Sequence, residues 1–268
     1  MLARLFIFRP PLPPELTIAL ALPSRGWCLR GCLGSAATAE EDDASLVADL
    51  LDVMKETCAD YTQTFLSLGE GAKAGVWEDG AALESLAARM AASCASPQET
   101  ARVLRRGGRQ RVPEDKLGQL VMLADQKPEV LRMLGVDEAW LRRTVTRFAR
   151  AAAILELGAE GKRERDLSLW LAWLRRYAAR ALRDQGGGAS QQQQHQAMSE
   201  HNPWIVLRNW VAQEAIERAE AGDHEYVQDL VDVLLRPFDK PEGMRPAFLK
   251  FGGSTPDSAY DLCVTCSS

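Results

Sequence analysis

The chain predicts an all-α fold. Three observations carry that expectation: apolar residues recur at the helical period, Asn, Asp, Pro and Gly stand where helices should start or stop, and alternating strand-like character is confined to residues 261–265.

Residues 1–40 form an irregular leader. Within the first 36 residues Arg4, Arg9, Arg25 and Arg30 stand against a single acid, Glu15, as in a transit peptide. The apolar run of residues 16–22 and the small residues Ser35 and Ala36 instead imitate a secretory signal. Prolines between Pro10 and Pro14 fit neither well, because they break the helix a transit peptide needs.

Residues 41–184 are expected to be one helical region. Leu46, Leu50, Val53, Met54, Cys58, Tyr61, Phe65 and Leu68 keep helical spacing through to Gly69, which makes Cys58 a small buried apolar side chain. Residues 69–80 read as a loop. Leu83, Leu86, Ala87, Met90 and Cys94 mark an Ala-rich helix, and Pro97 opens a short one closed by Gly107 and Gly108 in a basic loop. Pro113, Glu114 and Asp115 begin another, where acids complement the helix dipole, with Leu117, Leu120, Val121 and Leu123 on one side. A short helix runs from Pro128 to Gly135. Asp137 then starts a longer one carrying Trp140, Leu141, Val145, Phe148, Ala152 and Leu155. Leu167, Trp170, Leu171, Leu174, Tyr177, Ala178 and Leu182 give the strongest amphipathic pattern, with Arg175, Arg176, Arg180 and Arg183 on the opposite face.

Residues 185–200, Gly- and Gln-rich, read as a flexible linker. Residues 201–240 read as a helical hairpin. Asn202 is a suitable N-cap and Pro203 a suitable first helical residue; Ile205, Val206, Trp210 and Ile216 then make an apolar stripe. Gly222 ends that helix, Asp223 caps the next, and Tyr226, Val227, Leu230, Val233 and Leu234 share a face until Pro237. Residues 241–268 form a tail ending in Cys263-x-x-Cys266.

Composition narrows the function. With 268 residues, 46% hydrophobic and 26% charged, the chain can bury one sizeable core or two small ones. A net charge of −5 argues against a nucleic-acid partner, and no apolar run reaches the roughly 18 residues of a membrane span. Two basic runs, Arg102, Arg105, Arg106, Arg109 and Arg111, then Arg142, Arg143, Arg147 and Arg150, read first as solvated faces and second as a phosphate site. The acids Glu40, Glu41, Asp42 and Asp43 read as a solvated helix start. No Walker loop or kinase-type His-Arg-Asp or Asp-Phe-Gly string occurs; residues 69–75 imitate a Gly-rich loop without its spacing or hydroxyl. His195, His201 and His224 fall in the linker, a helix lead-in and a turn, and none belongs to a recognisable catalytic motif.

The cysteines leave alternatives. Cys28-x-x-x-Cys32 and Cys263-x-x-Cys266 together supply four thiols, enough for zinc, though at undistinctive spacing. A terminal Cys-x-x-Cys also suits thiol–disulfide exchange, since one thiol can resolve the oxidised other. It can equally be a chain end without a role.

Several strings resemble the selenoprotein O (YdiU-like) family: Asn202-Pro203, Arg208-Asn209-Trp210, Gln213-Glu214-Ala215-Ile216, Gly222-Asp223 and Pro237-Phe238-Asp239, together with Asp60-Tyr61-Thr62-Gln63-Thr64-Phe65 and the terminal Cys263 to Ser268. The likeness runs from about Ala44 to Ser268. It implies the helical C-terminal portion of a protein-kinase-like, or pseudokinase, fold. Family members bind ATP in a flipped orientation with a divalent metal such as Mg and transfer AMP to Ser, Thr or Tyr hydroxyls of protein substrates; animal members do so in mitochondria. The family's nucleotide- and metal-binding motifs precede the matched strings and none is found in this sequence. No catalytic residue and no cofactor or metal ligand is therefore carried over, ATP and Mg being expected for the complete family enzyme. Only Cys263 and Cys266 are carried over. Cys266 falls at the position many animal members give to selenocysteine, which implies a redox-active tail whose disulfide partner thiol lies outside this chain.

The chain is thus expected to be part of a protein adenylyltransferase, inactive alone, with residues 1–40 a transit segment or, preferably, an alternative start or misassigned exon. Two other functions stay open: a non-catalytic helical interaction module, and a small thiol oxidoreductase using the terminal Cys-x-x-Cys.

Overall fold

The structure is a computed structural model that describes residues 41–106, 114–186, 190–239, 245–253 and 256. These form eleven α-helices and two 3₁₀ turns, with no strand among the described residues, so the fold is all-α. The leader, the strand-like residues 261–265 and both tail cysteines lie outside the described residues.

Described residues up to Ser93 and from Leu167 onward make one compact unit, and Cys94–Asp166 make a second. Both borders fall within the stretch 41–184 that the sequence presents as one region.

In the first unit, helix α1 is Glu41–Thr57 and helix α2 is Tyr61–Ala74. The sequence presents them as one helix. They are two because Cys58 takes a positive φ of 52° and Asp60 caps α2, accepting from the Gln63 amide at 3.0 Å. Cys58 is consequently half-buried at a turn instead of buried in a helix.

The expected loop after Gly69 is also helix. Helix α2 continues to Ala74 because Gly71 lets it approach its neighbours: a Cβ there would lie 2.9 Å from Leu86 Cδ2 and 3.2 Å from Trp77 Cη2. Gly75, at φ 68°, ends the helix in the left-handed region that suits glycine. The turn Val76–Glu78 and helix α3, Gly80–Ala92, follow, so Cys94 lies beyond α3.

The C-terminal part of helix α7, Glu138–Gly186, contributes the aromatic centre of this unit. Trp170, Trp173, Leu174 and Tyr177 are buried, and the Trp173 and Tyr177 rings stack at 5.1 Å. Trp173 donates its indole N–H to the Leu46 carbonyl at 3.0 Å. Arg180 departs from the expected solvated face: its side chain is 6% exposed and its Nε donates to Asp43 at 2.7 Å. Asp43 is thereby drawn out of the acidic run expected to be wholly solvated.

The linker reading of residues 185–200 is corrected at Gln185 and Gly186, which still belong to α7, and from Ser190 onward. Helix α8, Gln191–His201, begins at Ser190, whose hydroxyl and the Gln193 amide make a reciprocal capping box. Gln191 donates to the Lys73 carbonyl at 3.0 Å and the His195 Nδ1–H to that of Gly69 at 3.0 Å. Buried Gln194 accepts from the Trp77 indole at 2.9 Å and donates to the Tyr177 hydroxyl at 3.2 Å. A glutamine run that would be disordered alone is thus ordered by specific partners at successive positions.

The hairpin is formed by helix α9, Asn209–Glu220, and helix α10, His224–Leu234, with the turn at Gly222 and Asp223 accepting from the Tyr226 amide at 3.1 Å. Its first helix starts later than expected. Asn202 closes α8, its N–H donating to the Met198 carbonyl at 2.9 Å, and residues 203–208 run without helix into α9.

The second unit contains helix α4 (Pro97–Arg106), α5 (Glu114–Gln126), α6 (Pro128–Met133) and the first part of α7. Ser96 and Glu99 cap α4 reciprocally, and Asp137 accepts from the Ala139 and Trp140 amides at 3.1 and 3.3 Å at the start of α7. Buried Leu117 and Leu141 centre a small core with half-buried Trp140 and Phe148. Helix α7 breaks at Gly158, whose φ of 67° and ψ of −175° favour glycine.

Candidate functional site

Cys263 and Cys266, the predicted site residues, lie outside the described residues. What the structure gathers, among the described residues, is several of the other family-like strings around the segment Arg245–Gly253. The segment between Asn202 and α9 begins the assembly. Trp204 donates its backbone N–H to the Pro237 carbonyl at 2.9 Å and its indole N–H to that of Asp239 at 2.7 Å. These two bonds, with Ile205 fully buried, hold residues 203–208 out of the helix expected there.

Arg208, at the N-cap of α9, joins three pieces of chain. Its Nη1 and Nη2 meet the two carboxylate oxygens of Asp60 at 2.9 and 3.0 Å, and Nη1 also donates to the Gly253 carbonyl at 3.0 Å. The planar guanidinium fits a carboxylate with two parallel bonds, which a lysine cannot reproduce. Gln63, one turn into α2, donates its side-chain amide to the neighbouring Gly252 carbonyl.

The segment they hold comprises Arg245, the one-turn helix α11 (Pro246–Leu249), the 3₁₀ turn Lys250–Gly252 and Gly253. Phe248 and Phe251, three apart, project to one side and are at most 1% exposed. Phe248 meets the Tyr226 ring at 5.0 Å and Phe251 the Trp210 ring at 5.1 Å. Gly252 is pressed on Trp204: a Cβ would lie 2.9 Å from the indole and 3.1 Å from the Trp204 carbonyl. Sequence reading left this segment within an irregular tail. The Phe-x-x-Phe-Gly spacing was the available signal for it.

Charge fastens the same segment. Lys250 meets Glu214 at 2.6 Å, and Glu214 also accepts the Tyr226 hydroxyl at 2.7 Å. Burial alone would raise the Glu214 carboxyl, but hydrogen bonds from Lys250 and Tyr226 and the charges of Lys250 and Arg218 outweigh it and hold the carboxyl below its ordinary value. Burial, then the bond to Glu214, pushes the Tyr226 phenol up. Arg245 pairs with Asp229.

Among the described residues no three His, Cys, Asp or Glu side chains gather to hold a metal ion. Residues 69–74 are helix and give no phosphate-wrapping turn. Arg142 is paired with Glu138 at 2.7 Å, Arg143 with Asp137 at 3.7 Å, and Arg105 lies over the Phe148 ring at 6.0 Å; Arg109 and Arg111 are outside the described residues. No described helix is long and apolar enough to cross a membrane.

The family model described as "Protein adenylyltransferase SelO" matches residues 26–235. It begins ahead of Ala44, within the supposed leader, and ends before Cys263 and Cys266. The chain is 31% identical over 256 residues to "Protein adenylyltransferase SelO, mitochondrial" of Homo sapiens, covering 90% of this chain and 37% of that protein. It is 28% identical over 234 residues to "Protein adenylyltransferase SelO-1, mitochondrial" of Danio rerio, covering 84% and 33%. A bacterial relative, "Protein nucleotidyltransferase YdiU" of Xanthomonas campestris pv. campestris (strain B100), is 41% identical over 155 residues, covering 56% of this chain and 24% of its own length. The chain thus spans about a third of the length of the two animal relatives. No solved structure matches. Since the family model covers most of the sequence, and Asp60, Gln63, Arg208, Trp210 and Glu214 all fall within its reach, the chain belongs to the SelO family.

Proposed function

We propose that this chain is the helical C-terminal part of a protein adenylyltransferase of pseudokinase-like fold, and that it bears the tail of that enzyme. The complete enzyme would take ATP and Mg and transfer AMP to Ser, Thr or Tyr of protein substrates. Mitochondrial location follows the names of the human and zebrafish relatives. Cys263 and Cys266 would serve as a redox-active pair in that tail, with a partner thiol on another part of the enzyme.

The observation that carries this reading is the convergence of family-like strings on the base of the tail, where Asp60, Gln63 and Arg208 hold Gly252 and Gly253. They serve position, not nucleotide chemistry. This chain alone is therefore read as neither binding Mg-ATP nor transferring AMP.

Calorimetric titration of Mg-ATP into the purified chain, shown folded and helical by circular dichroism, tests this. No saturable heat is expected, and no ATP-dependent labelling of added protein. Saturable binding or AMP transfer would overturn the assignment of nucleotide chemistry to other parts of the enzyme.

A further inference from the structure

We infer that Arg245–Gly253 is a latched strap, able to open while the hairpin beneath it stays folded. Its inner side is apolar. Phe248 and Phe251 enter the cluster of Trp204, Ile205, Val211, Tyr226, Leu230 and Val233.

Its outer fastening is polar: Gln63 and Arg208 on the last two carbonyls, with Lys250 on Glu214 and Arg245 on Asp229. Lys250 and Glu214 retain partial exposure, as do Arg245 and Asp229. Water can therefore replace these two ion pairs, at modest cost for exposed groups.

A second observation makes the closed state costly. Trp210 lies against Phe251, and its indole N–H is buried with no hydrogen-bond acceptor among the described residues. A shielded donor without a partner opposes the state that shields it. Opening the strap removes the ring of Phe251 from Trp210 and gives the indole a route to water. Two opposed features thus act on these nine residues: a polar latch favouring closure and an orphan donor beneath them favouring release. The device governs whether the chain beyond Gly253, with Cys263 and Cys266, starts from a fixed point on the body. It holds whatever chemistry those thiols perform.

Two substitutions give it opposite signs. Gln63→Glu removes the amide donor to Gly252 yet places an acid in the first turn of α2, which favours that helix. Trp210→Phe keeps an aromatic ring and removes the orphan donor. Amide hydrogen exchange of the whole chain is the readout, with Trp173 and Leu230 amides as internal references.

Strap amides of Gln63→Glu are expected to exchange about fivefold faster or more, and those of Trp210→Phe about fivefold slower or more, with the references unchanged. Failure of the Gln63→Glu change to speed the strap, or of the Trp210→Phe change to slow it, would overturn the inference. So would equal changes in strap and references, which would make Arg245–Gly253 an ordinary part of the core.

Discussion

Each unit is held by polar bonds of its own, and the reach of those bonds differs. In the first, Trp173 reaches Leu46, Arg180 reaches Asp43, Trp77 reaches Gln194, and Arg208 ties Asp60 to Gly253, all pairs distant in sequence. In the second, Arg142 meets Glu138 and Lys162 meets Asp166 one turn away on the same helix. Long-range bonds fix tertiary arrangement, whereas local ones mainly support the helix that carries them. The unit that closes on itself is also the one that holds the base of the tail.

One local pair breaks the simple contrast, and disturbing it should have the largest effect. Lys162 and Asp166 are 3% and 1% exposed, so their charges are withdrawn from water. Lys162→Met takes the hydrogen-bonding cation from a buried carboxylate, leaving it the more distant Arg165 at 3.6 Å, and is expected to cost about 3 kcal/mol in chemical denaturation. Lys162→Met with Asp166→Leu should recover most of that loss. A single variant as stable as the parent would place this pair with solvated surface bridges.

A smaller loss is expected in the first unit from Gln194→Leu. The Trp77 indole and the Tyr177 hydroxyl would both lose their bond to a buried amide, at roughly 1–3 kcal/mol. Unchanged stability would mean that α8 is held by apolar contacts such as those of Met198, and that its long-range bonds are incidental.

The smallest effect is on pH, and it has opposite sign in the two units. Glu214 has its folded pKa depressed, so its contribution is present above the ordinary carboxylate range and is lost as pH falls through the folded value. Asp166 has its folded pKa raised, chiefly by burial and against the opposing pull of Lys162 and Arg165. Its contribution is fully present below the ordinary value and is lost as pH rises through the raised one. Acidification through the carboxylate range should therefore weaken protection around Glu214 and strengthen it around Asp166, after correction for intrinsic exchange. Parallel changes at both sites would show that local titration does not set the difference.

Much of the helical inventory was legible in the sequence. Pro97, Asp137, Gly222 and Asp223 mark helix ends where the structure has them, because capping is decided within a few residues. Misreadings arose where a distant partner decides. Arg180 resembles a solvated arginine until Asp43 is brought to it, and Asn202 resembles an N-cap until Trp204 is pinned by Pro237 and Asp239. The continuous apolar spacing of residues 46–69 hid the break at Cys58, since a turn can preserve a buried face on both sides. At the candidate site the participating strings were visible, but their meeting point was not: the bond from Gln63 to Gly252 joins chain ends that no local pattern relates.

The glutamine run of α8 carries a consequence for its own length. In a spacer, the gain or loss of one glutamine would be harmless. Here Gln191 meets Lys73 and His195 meets Gly69, so one added residue would turn everything after it by about 100° around the helix. The Ser190 cap would keep its place while His195 and Met198 rotated away from theirs. The repeat is therefore held at fixed length by the fold, although its composition alone would mark it as free to drift.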